Sequence, residues 1–143
     1  MNLQNAIADF QLKGTSIKRI DLNNDFVQYS DNERTEKKFN VSYNIEEISE
    51  RDDGNSLGTM VLLLEIEISQ EDNKLNILLE IEGCFSYNGD SKDEFMEMLE
   101  INGSATMYSI ARSIILTITS QTFAGEKILL PMVNFFKLRE ENE

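Results

Sequence analysis

The chain has 143 residues, 41% of them hydrophobic, enough for one packed core and too apolar for wholesale disorder. It carries a net charge of −13 and no histidine. The first argues against nucleic-acid binding, and the second excludes Ser/His/Asp and Cys/His catalysis and every imidazole metal site. The one cysteine, Cys84, leaves no internal disulfide and no thiolate zinc site within the chain, and suits a reducing, cytoplasmic setting.

These exclusions predict a non-enzymatic protein with no cofactor and no metal, folded as one domain over residues 1–143. The start lacks the cationic-then-apolar pattern of a signal peptide, and no run is apolar enough for membrane insertion. The acidic pairs Glu46-Glu47, Asp52-Asp53 and Glu71-Asp72 do not match a calcium-binding loop and read as solvated. Residues 1–40 carry six acids and six bases, residues 105–143 four of each, and residues 41–104 sixteen acids against three bases. The whole imbalance is central, so a partner drawn by charge is basic and meets that region.

Along the chain, Phe10 and Leu12 alternate with polar residues, Gly14-Thr15 interrupts, and Ile17 and Ile20 resume. Ala6 to Asp21 therefore predicts a bent or interrupted first strand. Residues 23–38 are polar around Phe26, Val27 and Tyr29, a long crossover of the kind that often carries function. Three strands follow. Phe39, Val41, Tyr43 and Ile45 share one face, then Leu62, Leu64, Ile66 and Ile68, then Leu75, Ile77, Leu79 and Ile81. Alternation of this clarity predicts an antiparallel meander buried on one face. Its outer face carries Glu65, Glu67, Glu80 and Glu82, with Glu65 expected near Glu80 across the hairpin. That face either serves solubility or accepts a cationic partner, which would relieve like-charge repulsion.

Phe95, Met98 and Leu99 fall at helical spacing, and Asn102-Gly103 is expected to end a short helix. From Gly103 to Phe123 the only charge is Arg112, and Met107, Ile110, Ala111, Ile114, Ile115 and Ile118 form a broad helical stripe. A helix with no charged face needs cover on two sides, its own sheet and a second subunit. Met107, Ile110, Ile114 and Ile118 are the expected oligomer interface. The β-branched run Ile114 to Thr119 also fits a strand on local propensity. The tail, Lys127 to Leu138, is apolar, and it either docks on the core or lines a binding groove. The predicted fold class is α+β: a four-stranded antiparallel meander with a long first crossover, covered by a short and a long C-terminal helix.

The block Glu82-Gly83-Cys84-Phe85-Ser86, followed by Tyr108-Ser-Ile-Ala-Arg112, Thr122-Phe123 and Leu130-Pro131-Met-Val-Asn134-Phe135, resembles the SecB protein-export chaperone family in order and spacing. The likeness is specific in residues from about Gly83 to Phe135 and extends in element order over most of the chain. It implies dimers, or tetramers built as dimers of dimers, paired through the first strand and the long helix. It also implies a holdase that takes unfolded polypeptide clients into apolar grooves, without catalysis. By position the groove residues are Phe26, Val27, Tyr29, Tyr108, Phe123, Leu130, Phe135 and Phe136. The family also docks a SecA-type motor on an acidic sheet. Here those positions fall on Arg19 and Asn23 and near Leu78 rather than Glu80, so the sheet is acidic but the specific acids are not kept. The alternative reading is a SecB-fold module dedicated to one basic partner, such as an antitoxin-type client, held on the acidic face.

Overall fold

The computed structural model describes residues 2, 4, 8–28, 35–51, 54–123 and 125–142. Four long strands, β1 (Phe10–Asn24), β2 (Thr35–Glu50), β3 (Ser56–Gln70) and β4 (Asn73–Tyr87), form one antiparallel sheet in the order β1-β4-β3-β2. β2, β3 and β4 make the expected meander, and the crossover carries the chain from β1 at one edge to β2 at the other. Helices α1 (Lys92–Met98), α2 (Ser104–Thr122) and α3 (Phe135–Asn142) follow. Among the described residues no helix is long and apolar enough to cross a membrane.

The inner face of β3 and β4 is the core. Met60, Leu62, Leu64, Ile66 and Ile68 pair across from Gly83, Ile81, Leu79, Ile77 and Leu75, and none of the apolar side chains is more than 2% exposed. Each such side chain contributes about 1.5–3 kcal/mol by leaving water. The first strand is continuous rather than broken. It carries two bulges, one between Leu12 and Gly14 and one between Ile17 and Arg19. Each extra residue switches which positions face inward, so Leu12, Ile17, Ile20 and Leu22 lie on one face although their numbers do not alternate. A third bulge between Ile45 and Glu47 likewise keeps Ile48 on the inner face of β2.

Asn102-Gly103 does not end the helix. Leu99–Gly103 is a π-helical turn whose flanking residues keep right-handed helical angles, so α1, the turn and α2 run as one helix from Lys92 to Thr122. Phe95, Leu99, Gly103, Met107, Ala111, Ile115 and Thr119 are all buried at a step of four. A helix of 3.6 residues per turn would rotate them off the sheet, and the wider turn resets part of that drift. A Cβ on Gly103 would lie 2.8 Å from Met60 Sδ, so bare backbone is what allows the turn to seat on β3. Ile114 to Thr119 is helical, which settles the local ambiguity in favour of the longer element.

Candidate functional site

The tail is held to α2 by side chains that bind its backbone. Thr119 Oγ1 accepts from the Ile128 N–H at 2.9 Å, Arg112 Nε donates to the Leu130 carbonyl at 3.1 Å, and the Tyr108 hydroxyl donates to the Pro131 carbonyl. Asn134 Oδ1 then accepts from the N–H groups of Phe136 and Lys137, capping α3. Phe135 packs edge-on against Tyr108, ring centroids 5.6 Å apart. Burial raises the Tyr108 pKa, with Arg112 acting in the opposite direction. The strap thus lies extended along one flank of α2, and α3 reaches the β2 side of the sheet.

This anchoring sorts the expected groove residues into two groups. Val27, Leu130, Tyr108 and Phe135 are buried and belong to the core, and Phe123 is half-buried against it. Phe26 (84%) and Phe136 (57%) are exposed. Tyr29 lies outside the described residues. Two exposed residues that the sequence reading missed, Leu129 (64%) and Met132 (87%), stand on the strap that leads to Phe136 in the first turn of α3. Ile128, Leu129 and Leu130 are all apolar, so no alternation in the sequence marks Leu129 as the one that faces outward. At α3, Phe136 lines a cleft of about 410 Å³ with Tyr87, Glu94, Glu97, Met98, Ile101 and Asn102. Here the Tyr87 hydroxyl donates to Glu94 Oε2 at 2.8 Å, and that bond is the main cause of its raised pKa. Arg139 lies over the Phe136 ring at 5.8 Å, and its guanidinium approaches Glu97 and Glu100 at 3.7 and 3.9 Å. The rim is acidic, the floor apolar.

A second apolar surface lies on the opposite flank. On β1 the inward-facing Leu12, Ile17, Ile20 and Leu22 pair with the buried Phe85, Ile81, Leu79 and Ile77 of β4, yet remain 37 to 51% exposed. Among the described residues the helices cover them only in part. Ile110, Ile114 and Ile118 occupy the flank of α2 turned away from the tail and are half-buried. Met107, expected beside them, is fully buried against Gly83. It sits at the centre of the helix face that meets the sheet, which leaves it nothing to offer a second subunit.

On the outer face, Glu65 and Glu67 are exposed while Glu80 and Glu82 are half-buried. Glu65 is not opposite Glu80: the register sets it across from Leu78, and Glu80 across from Leu63, so the glutamates are diagonal neighbours. The β1–β4 pairing also brings bases onto this face. Lys18 Nζ lies 3.5 Å from Glu82, and Arg19 sits opposite Glu80 while binding Asp21. Nearer the β3–β4 turn is a concavity of about 570 Å³, whose outer-face lining includes Asp21, Asn23, Lys38, Asn40, Glu65 and Glu67.

Among solved structures, this chain is similar to the SecB-like chaperone Rv1957 of Mycobacterium tuberculosis in complex with a ChAD peptide from the HigA1 antitoxin. The TM-score is 0.63 at 11% identity, over 88% of this chain and 91% of that one. A Streptococcus agalactiae protein of unknown function gives a TM-score of 0.51 at 13% identity, over 88% of this chain and 99% of that one. No protein-family model and no curated protein matches the chain. The fold is SecB-like, as the order of the motifs implied.

Proposed function

We propose that this protein is a SecB-type holdase, a non-enzymatic cytoplasmic chaperone that binds non-native polypeptides on apolar surface and releases them without chemistry. The observation that carries the reading is the exposure of Leu129 and Met132 on a strap whose backbone is bound to α2, together with Phe136 in the first turn of α3, where it lines the Met98–Ile101 cleft. Exposed apolar side chains on an anchored backbone contact a flexible chain with little loss of their own freedom. The SecB-like neighbour bound to an antitoxin peptide supports the same reading. In this proposal the partly covered β1 face, with Ile110, Ile114 and Ile118, is where two copies pair, and clients use the tail side. The outer-face concavity, with Asp21, Glu65 and Glu67 against Lys38, favours a second reading, in which one dedicated basic partner docks there.

The test is suppression of aggregation of an unfolded model protein without nucleotide. The wild type is expected to suppress it at near-stoichiometric amounts. The double variant Met132→Asp, Phe136→Asp should lose most of that activity while keeping its melting temperature, since both residues are exposed. Full activity in that variant, or none in the wild type, rejects the reading.

A further inference from the structure

Residues 41–104 hold only three bases, and one of them, Arg51, shares a hollow with Lys13 of β1. The hollow, of about 430 Å³, forms where the start of β1, the β2–β3 turn and the end of β4 meet. Asp9 is the one acid in its lining among the described residues. Lys13 and Arg51 are both exposed, and neither has an ion-pair partner among the described residues. The concavity at the other end of the outer face has the opposite sign, with Asp21, Glu65 and Glu67 against Lys38. Asn76 in that one and Ser86 in this one lie ten residues apart on β4, roughly 30 Å.

The backbone holds these groups in place. Lys13 is the extra residue of the first bulge: Leu12 pairs with Phe85 and Gly14 with Cys84, which leaves Lys13 no partner on β4. A bulge re-aims a side chain, and this one adds a lysine to the outer hollow while Leu12 stays inward. The Arg51 N–H donates to the Asn55 carbonyl at 2.9 Å, and its carbonyl accepts from the Gly54 N–H at 3.2 Å, closing the turn. The Asn88 N–H donates to the Asp9 carbonyl at 3.0 Å and ties the end of β4 to the start of β1. The floor is the cross-strand row Gln11, Ser86 and Leu57, all half-buried. Gln11 Nε2 donates to the Ala8 carbonyl at 2.9 Å, which fixes its carboxamide.

We propose that this hollow binds a phosphate group, free or carried on a small polar molecule. The Arg51 guanidinium donates two N–H groups to two phosphate oxygens, Lys13 supplies a compact second charge, and the Ser86 hydroxyl donates from the floor. Two cations against one carboxylate favour a dianion over the single charge of a carboxylate. The hollow is larger than a phosphate alone and leaves room for an organic group against Leu57. The site does not depend on the client reading, and it lies on the face opposite the strap.

The experiment is calorimetric titration of the full chain, in a phosphate-free chloride buffer, with inorganic phosphate, ribose 5-phosphate and acetate. Both phosphates are expected to bind, and acetate at least about ten-fold more weakly. A tighter ribose 5-phosphate identifies a carried phosphate as the ligand, and equal affinities identify the free ion. Arg51→Gln and Lys13→Gln should each weaken phosphate about ten-fold. Asp9→Asn should tighten it, because a like charge leaves the rim. Lys38→Gln, in the opposite concavity, should change nothing. All four positions are exposed, so melting temperatures should stay at the wild-type value. Absence of phosphate binding at millimolar concentration, acetate binding as tight as phosphate, or affinity that survives Arg51→Gln overturns the site. A glutamate-rich peptide that binds here when phosphate does not overturns it in favour of an acidic polypeptide.

Discussion

Gly83 and Met107 form a contact that only a glycine permits. A Cβ at position 83 would run into Met107 Sδ and lie 2.9 Å from Met107 Cε and 3.2 Å from Phe85. Both side chains are fully buried, so neither can swing aside into open space. Gly83→Ala is therefore expected to destabilise the fold by about 1–3 kcal/mol through overpacking, and Met107→Ala by about 2–5 kcal/mol through a cavity. The double variant should cost less than the sum of the two, by at least about 1 kcal/mol, because the new methyl enters the space the methionine vacates. Urea denaturation of the four proteins checks this, and simple additivity would contradict the contact. Gly83 and Phe85 could be recognised from sequence as members of a fixed block. The opposite fates of Phe135, inside, and Phe136, outside, could not. Adjacent residues at the start of a helix point apart, and which one turns inward depends on Tyr108, 27 positions earlier.

At the scale of elements, the meander was readable because a strand buried on one face writes its period into the sequence. The first strand was readable only in part, since two bulges break the period that would reveal it. The π-helical turn was not readable at all. Asn102-Gly103 carries a stop signal in local terms, and only the approach of Met60 explains why a glycine stands inside a helix. The strap likewise depends on contacts that no period encodes, and Tyr108 is its most informative member. Removing the hydroxyl in Tyr108→Phe deprives the Pro131 carbonyl of its donor and should cost about 1 kcal/mol at neutral pH. Burial also raises the Tyr108 pKa above the ordinary 10.0. Below that value both folded and unfolded chains hold the proton. As pH rises past it, the unfolded chain ionises first, so stability is lost. Tyr87, raised by its bond to Glu94, acts in the same direction. Denaturant midpoints across the alkaline range should fall more steeply for the wild type than for Tyr108→Phe, and parallel slopes would show that Tyr108 contributes nothing to the decline.

For the whole molecule, charge and assembly are linked through topology. The sequence places sixteen acids against three bases in residues 41–104, but not which strand lies beside them. Because β1 pairs with β4, Lys18 and Arg19 come to stand by Glu82 and Glu80, and the outer face is less uniformly acidic than the count suggests. The same pairing leaves β1 at the edge of the sheet, with backbone groups free of a strand partner on one side among the described residues, and with four apolar side chains that the described helices cover only in part. An edge of this length with an apolar inner row invites pairing with another chain. A second copy meets both needs: antiparallel β1–β1 pairing would extend the sheet, and the flank of α2 with Ile110, Ile114 and Ile118 would close over the row. Ile17 and Ile20 lie in the middle of β1 and are 51% and 39% exposed, so Ile17→Asp with Ile20→Asp should leave the protomer folded. In the dimer the two carboxylates would be buried without partners, weakening association by about 3 kcal/mol or more, roughly a hundred-fold. Sedimentation equilibrium should then find a concentration-dependent oligomer for the wild type and a monomer for the double variant, with matching circular dichroism. A wild type that is monomeric at every concentration, or a variant that assembles unchanged, would exclude β1 as the pairing surface.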